Sequence, residues 1–391
     1  MNTQMSTDLA ADRSAPPSLW KSTAAPTEAR ATLFVDLSAI RSNYRRLQEL
    51  SPHSVCAAVV KADAYGLGAT TIASFLMAEG CKHFFVADVE EGIALRAELP
   101  ATANIYVLHG AIPGQESITE HHNLLPVLNG REQLEAWLRL CHLRGRPLPA
   151  AIQLDTGMSR LGFSFGDLRA AYDKEECLSG LPIVLVMSQL ACAEQRDEVN
   201  SQQLRRFYKV VGLFPAASLS LANSAAIFAG REFHFDMVRS GGGIFGFSGS
   251  LNPPFVPAQV LHLQTRIIQV RQIECGDAIG YCHSYQANGT MRIATVAIGY
   301  ADGVPRSLGN RGHMFIHDVP VPIVGAVSMD LTTIDVTALP EEWTLRGTPV
   351  DVICPQQSLE TLASQAGMLN DELAIAIGSR CRKVYLSSEA L

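Results

Sequence analysis

Eight short apolar runs alternate with helix-like segments between residues 55 and 238 of this chain. The runs are Val55–Val60, Phe84–Val89, Ile105–Leu108, Leu124–Leu128, Ala150–Leu154, Ile183–Met187, Leu219–Ala222 and Phe235–Val238. Amphipathic segments such as Arg131–Leu143 and Asn200–Leu213 lie between them. Strands that alternate with helices pair in parallel, because each helix carries the chain back across the sheet. Eight such units over roughly 190 residues predict an α/β fold, a (β/α)8 TIM-like barrel at the short end of its size range. From Thr265 the pattern changes to strand-like runs with few helices: Arg266–Ile273, Met291–Ile298, Met314–His317, Pro322–Val327, Thr332–Val336 and Pro349–Ile353. The expected division is a disordered tail at 1–30, a barrel at 31–264 and a mainly β C-terminal domain at 265–391.

Composition narrows the function classes. A hydrophobic content of 47% supports a large core, and a net charge of −7 gives no electrostatic reason to expect a nucleic-acid partner. No apolar run is long enough to span a bilayer, so no membrane role is expected. The nine cysteines are scattered without a CxxC, which suits reduced thiols of a cytoplasmic protein better than a disulfide or metal framework. Residues 1–30, rich in Ala, Ser, Thr and Pro, lack the charged start and apolar segment of a signal peptide.

The first strand ends in a lysine: Ala57-Ala58-Val59-Val60-Lys61-Ala62-Asp63-Ala64-Tyr65-Gly66-Leu67-Gly68. At the C-terminal mouth of a barrel strand, Lys61 stands where such folds keep their active sites. Poor hydration disfavours an ammonium, and a neutral amine can attack a carbonyl to form a Schiff base. The two glycines would let backbone N–H groups approach a ligand such as a phosphate. On composition alone the favoured reading is a lysine whose stem snorkels at a strand end.

The order Val-Lys-Ala-Asp-Ala-Tyr-Gly-Leu-Gly resembles the cofactor lysine motif of alanine racemases, and the resemblance runs from about Ala31 to Tyr385. It implies pyridoxal 5'-phosphate (PLP) carried by Lys61, which also serves as one of two catalytic bases. Leu154-Asp155-Thr156-Gly157-Met158-Ser159-Arg160 resembles the segment whose arginine binds the substrate carboxylate, and a guanidinium suits that task with two parallel donors. Leu221-Ala222-Asn223-Ser224 and Arg239-Ser240-Gly241-Gly242-Gly243 follow the seventh and eighth strands, where barrels commonly hold phosphate. By resemblance Asn223, Ser224, Gly241, Gly242 and the Tyr65 hydroxyl surround the phosphate, and Arg239 faces the pyridine nitrogen. Arginine stays protonated and cannot hand that nitrogen a proton, so the ring remains a weak electron sink suited to moving a single α-proton.

In the C-terminal part, Ile279-Gly280-Tyr281 resembles the motif of the second base. A phenol is a poor base at neutral pH unless cations lie near it, and Arg160 and Arg239 are the candidates. The family supplies this tyrosine from the other subunit, so the resemblance implies a homodimer with a shared site. Ile298-Gly299-Tyr300-Ala301-Asp302-Gly303 resembles the segment whose tyrosine narrows the substrate entrance, and Ser328-Met329-Asp330 the one whose methionine offers a backbone donor to the carboxylate.

Three positions depart from the family. Gln153 stands where many members carry a carbamylated lysine that orients the arginine; a glutamine could still hydrogen-bond Arg160. Gln189 replaces a histidine, and Ser379 a phosphate-contact tyrosine that varies among members. The resulting expectation is a racemase interconverting L-alanine and D-alanine, with the product feeding peptidoglycan. The alternatives are a broader amino-acid racemase, acting on serine for instance, and a PLP-binding paralogue without catalysis, which the two glutamines favour.

Overall fold

The structure is a computed structural model that describes residues 30–173, 181–195, 198–247 and 255–387; the expected tail at 1–30 lies outside them apart from Arg30. A first strand, β1 (Ala31–Asp36), precedes the eight apolar runs. These form β2 (Val55–Val59), β3 (His83–Val86), β4 (Asn104–Val107), β5 (Leu125–Leu128), β6 (Ala150–Leu154), β7 (Ile183–Ser188), β8 (Ser218–Ser220) and β9 (Met237–Ser240). The strands pair in chain order from β2 to β8, and β9 returns to lie parallel to β2. One bridge between Asn223 and Arg239, just past β8, nearly closes the barrel.

Alternation along each strand explains why the runs read as continuously apolar. Ala57, Phe85, Tyr106, Val127, Ala151, Leu185 and Met237 pack together as one cluster inside the barrel. Their neighbours Cys56, Phe84, Ile105, Leu128, Ile152, Val186 and Val238 join the larger core shared with the helices. A strand buried on both faces has no polar side to alternate with.

The C-terminal strands are β10 (Leu261–Ile273), β11 (Ala278–Ile279), β12 (Tyr285–Gln286), β13 (Met291–Val296), β14 (His313–Ile316), β15 (Val319–Pro322), β16 (Thr332–Asp335), β17 (Pro349–Ile353) and β18 (Arg382–Leu386). The larger sheet runs β15-β14-β17-β10-β1-β18, with β13 on β10 and β16 on β13. The first strand belongs to the second domain, antiparallel to β10 and parallel to β18, with Leu33 opposite both Leu263 and Lys383. Asp36 then turns the chain into the barrel by capping helix Leu37–Leu50, its carboxylate accepting from the N–H groups of Ser38 and Ala39.

The strand expected at Pro322–Val327 also moves, to Val319–Pro322. His317 and Asp318 both take positive φ, 50° and 67°, and make the two-residue turn that pairs Ile316 with Val319. Pro320 and Pro322 are tolerated because β15 is an edge strand. Among the described residues no helix is long and apolar enough to cross a membrane, and no cluster of His, Cys, Asp and Glu could hold a metal ion.

Candidate active site

A cavity of about 800 Å³ opens at the C-terminal ends of the barrel strands. Lys61, Tyr65, Arg160, Asn223, Ser224, Arg239, Gly241 and Gly242 all line it. Eight residues from four separate segments therefore converge on one space.

Lys61 follows β2 by two positions and is half-buried. The four residues after it turn the wrong way for L-amino acids: Ala62, Asp63, Ala64 and Tyr65 have φ between 52° and 58°. Each such residue costs about 1–2 kcal/mol, and none of the four is glycine. The turn is held from both sides. One Glu91 carboxylate oxygen accepts from Ala62 N–H and the other from Ala87 N–H, both at 2.7 Å, tying the turn to the end of β3. Asp63 accepts from Ala69 N–H and pairs with Lys383 at 3.1 Å. Backbone strain of this kind persists where surrounding structure enforces it, characteristically at functional sites. Here it brings Tyr65 round into the cavity beside Lys61.

The glycines that follow pack against the second domain. A Cβ on Gly66 would meet the backbone of Ala374 and Ile375 at 3.0–3.2 Å, and one on Gly68 would lie 1.9 Å from the Tyr385 hydroxyl. Both allow the second domain to approach the turn, and neither lines the cavity.

Gly241 is the glycine the cavity requires. A Cβ there would stand 2.3 Å from the Tyr65 hydroxyl oxygen. Ser224 Oγ accepts from Gly241 N–H and Gly243 N–H, both at 3.1 Å, and meets Ser240 Oγ at 3.0 Å. Asn223 caps the short helix Ser224–Ala229, its Oδ1 accepting from Ala226 N–H at 3.0 Å. Burial, and then the nearby Asp371 carboxylate, push the Tyr65 hydroxyl far above its ordinary value, so it remains a donor. The result is a compact cradle of hydroxyl and amide groups suited to an anion such as a phosphate.

Asp371 borders that cradle: its Oδ1 would lie 3.7 Å from a Cβ on Gly242. The side chain is open to the cavity but surrounded by protein atoms. Burial raises its carboxyl above the usual range and Glu194 adds to that, while Lys61 opposes it.

Arg239 is 3% exposed and has only neutral partners among the described residues. Its Nη1 donates to Ser220 Oγ at 2.6 Å; its Nη2 donates to the Ser188 carbonyl at 2.7 Å and to Gln189 Oε1 at 3.1 Å. Nε has no partner among the described residues. Burial pulls the guanidinium down to about 10, which leaves it charged at neutral pH. A buried cation without a counter-ion is costly, so this floor favours an electron-rich guest.

Arg160 lies in the loop after β6, exposed, with no side-chain partner among the described residues. Asp155 Oδ1 organises that loop by accepting from the N–H groups of Gly157, Met158 and Ser159 at 2.9–3.1 Å. Burial raises the Asp155 carboxyl, but those donors and the Arg206 charge outweigh it and hold it below the ordinary range.

Tyr281, Tyr300 and Met329 are not in the cavity lining. They form a second cluster on the C-terminal domain, exposed by 67%, 41% and 53%. Tyr300 N–H donates to the Ser328 carbonyl at 3.0 Å and Ala301 N–H to the Met329 carbonyl at 2.9 Å. Gly280, before Tyr281, packs on Gly325 and Ala326. Beneath them Asp302, 2% exposed, accepts from Gly299 N–H at 3.0 Å and faces Arg30 and Arg380, both at 3.4 Å. Arg380 also reaches Asp330 at 2.8 Å, so one ion cluster holds both loops. The Met329 N–H has no partner among the described residues.

Two family models match nearly the whole chain: alanine racemase N-terminal domain over residues 35–249 and alanine racemase C-terminal domain over residues 260–385. The chain belongs to the alanine racemase family. It is an isomerase of that family. A protein of Agrobacterium fabrum described as a catabolic alanine racemase is 42% identical over 90% of this chain and 92% of its own length. An alanine racemase of Brucella abortus is 40% identical over 90% of this chain and 93% of its own. The crystal structure of alanine racemase from Bartonella henselae, with covalently bound pyridoxal phosphate, superposes with a TM-score of 0.87 at 36% identity. It covers 92% of this chain and 100% of that one.

The departures from the racemase pattern take definite places. Gln153 is 5% exposed and lines the cavity, yet its amide donates to the Leu161 carbonyl at 3.2 Å and not to Arg160. Gln189 accepts from Arg239. Ser379 turns away, its hydroxyl donating to the Ala376 carbonyl at 3.2 Å, and does not line the cavity. Glu194, Glu360 and Asp371 line the cavity without having been expected there. The signal available for Asp371 was an acidic residue in the first turn of helix Asn370–Gly378.

Proposed function

We propose that this protein interconverts L-alanine and D-alanine with PLP as cofactor, working as a homodimer. The observation that carries the proposal is the convergence of Lys61, the Tyr65–Ser224–Gly241 cradle and Arg239 on one cavity. Those residues fit PLP: a lysine for its aldehyde, neutral donors for its phosphate, and a buried cation for its ring. When bound, PLP supplies an electron sink that makes the substrate α-hydrogen acidic. Tyr65, Asn223, Ser224, Gly241 and Gly242 would hold the phosphate. Arg239, which stays charged at neutral pH, would supply the cation beneath the ring and would keep that sink weak, since it has no proton to hand over readily. Arg160 grips the substrate carboxylate with its fork, and the Met329 N–H offers another donor.

The proton moves between two residues on opposite faces of the α-carbon. Lys61 takes it from, or returns it to, the D-isomer, and the partner subunit's Tyr281 does the same for the L-isomer. Tyr300 narrows the entrance. The test is racemisation of L-alanine by purified protein with added PLP, followed by chiral chromatography alongside L-serine and larger amino acids. Turnover of alanine well above the others is expected. Equal or faster turnover of another amino acid would favour a broad racemase, and none at all a PLP-binding protein without catalysis.

We place the product in peptidoglycan supply. The relatives named as catabolic favour a second reading, in which the enzyme feeds alanine breakdown. Loss of the gene should make growth depend on D-alanine in the first case, and impair growth on alanine as carbon source in the second.

The cradle makes its own prediction. Gly241→Ala should displace the Tyr65 hydroxyl and weaken PLP binding by at least about tenfold, within the roughly 1–3 kcal/mol that overpacking costs. Titrating the apoenzyme with PLP by absorbance reads this directly. Unchanged affinity would mean that Tyr65 moves aside freely and does not hold the phosphate.

A further inference from the structure

The loop that carries Arg160 is gripped by one face of helix Glu198–Val211. Gln203 is 1% exposed, and its amide is fully engaged. Its Nε2 donates to Thr156 Oγ1 at 3.0 Å and to the Gln189 carbonyl at 2.9 Å, and its Oε1 accepts from Ala191 N–H at 2.8 Å. Nearly one turn on, Arg206 Nη1 donates to the Thr156 carbonyl at 2.9 Å. Thr156 is thus held at its hydroxyl and at its carbonyl by side chains three positions apart, which share a helix face. The Thr156 hydroxyl also meets Ser188 Oγ at 2.8 Å, and Ser188 Oγ donates to the Leu154 carbonyl at 2.7 Å. The fit is close, since a Cβ on Gly157 would lie 2.7 Å from Arg206 Nη1.

Arg160 itself has no such support. The side chain nearest to the orienting role, Gln153, bonds to the backbone of Leu161 instead. The guanidinium therefore takes its position from the backbone of its own loop. A shift of about 1 Å in a positioning group can cost on the order of a hundredfold in rate.

We propose that Gln203 and Arg206 are positioning residues for substrate-carboxylate binding, bracing the Asp155–Gly162 loop so that Arg160 meets the carboxylate. Neither residue lines the cavity. The brace also reaches the cavity floor: the Gln189 that Gln203 holds by its carbonyl accepts from Arg239 by its side chain. One rigid polar network thereby sets the spacing between the carboxylate arginine and the arginine beneath the cofactor site.

The inference rests on the alanine racemase reading, and its test keeps the two separable. Arg206 is exposed, so Arg206→Met is expected to fold, whereas Gln203→Met removes a buried network member and serves as the second variant. The holoenzyme is assayed for kcat and KM with alanine, and for inhibition by propionate, which has the carboxylate but no amine. Arg206→Met should raise KM and the propionate inhibition constant together, by about tenfold, the change that ~1.4 kcal/mol represents. Its kcat should change much less. Arg206→Lys should recover part of the loss, because an ammonium can still donate to the Thr156 carbonyl. In an Arg160→Ala background, Arg206→Met should add nothing to the propionate constant, since both act through one group.

An unchanged propionate constant in Arg206→Met would overturn the brace, and so would an equal loss in the Arg160→Ala background. If wild-type protein binds propionate but does not turn over alanine, the activity reading fails while propionate still tests the brace.

Discussion

Lys61→Ala is expected to abolish racemisation in both directions. The lysine has two duties in the proposed reaction, holding the cofactor and moving the proton on the D face, and among the described residues no other lysine lines the cavity. Loss of a general base alone typically costs about 10² to 10⁴-fold. Losing the covalent attachment adds to that, so the variant should fall at or beyond the upper end. Rates are measured from L-alanine and from D-alanine separately, because a residue serving only one face would give unequal losses. Borohydride treatment of wild type should fix the cofactor on the peptide that contains Lys61. A label on another lysine, or a variant within tenfold of wild type, would remove the basis for the assignment. The left-handed turn predicts that the effect is confined to the site. Its strain lies at Ala62–Tyr65 and its supports are Glu91, Asp63 and Lys383, none of which depends on the Lys61 amine.

How far the sequence could be read follows from the range of the interactions involved. The barrel strands were legible because a parallel strand buried on both faces writes its burial into consecutive residues. The pairing of β1 was not legible, for the opposite reason. Thr32–Val35 reads as a strand on its own, but its partners Leu261–Thr265 and Arg382–Leu386 are far along the chain, and nothing local marks them. β18 itself escaped notice because it carries Arg382 and Lys383 at the sheet edge, where charge is common. The turn at 62–65 offered no signal either, since a left-handed run ordinarily advertises itself by glycine. Gly66 and Gly68 are present, but they face the second domain.

The site residues were legible by type and order, and their convergence could only come from three dimensions. Gln203 and Arg206 lay hidden in a helix whose apolar stripe, including Phe207 and Val210, dominated its reading. A glutamine on that buried side was the one available hint. Gln153 shows the limit in the other direction: its hydrogen-bonding capacity was foreseen, but its partner is a backbone carbonyl.

Mixing Lys61→Ala with Tyr281→Phe should regenerate activity from two nearly inactive proteins. Within one chain the cavity holds Lys61 but not Tyr281, and Tyr281, Tyr300 and Met329 are exposed together on the other domain. Each half therefore has the groups that the other lacks. In a two-fold dimer, the barrel of one chain would face the Tyr281 cluster of its partner, and the same contact would occur twice. A mixed dimer then contains one ruined site, lacking both bases, and one intact site. The intact site pairs Lys61 of the Tyr281→Phe chain with Tyr281 of the Lys61→Ala chain. Random exchange puts half of all dimers in this mixed form, so about a quarter of wild-type turnover should return. Each variant alone should stay depressed by about 10² to 10⁴-fold, the usual cost of a lost base. The arrangement in cis predicts the reverse, because every chain in the mixture then lacks one base and no dimer can be active. The two tags of a mixed dimer, purified in succession, prove exchange, and the rate of that fraction decides between the two. An inactive doubly tagged fraction would place both bases in a single chain and would leave the exposed Tyr281 cluster without its proposed role.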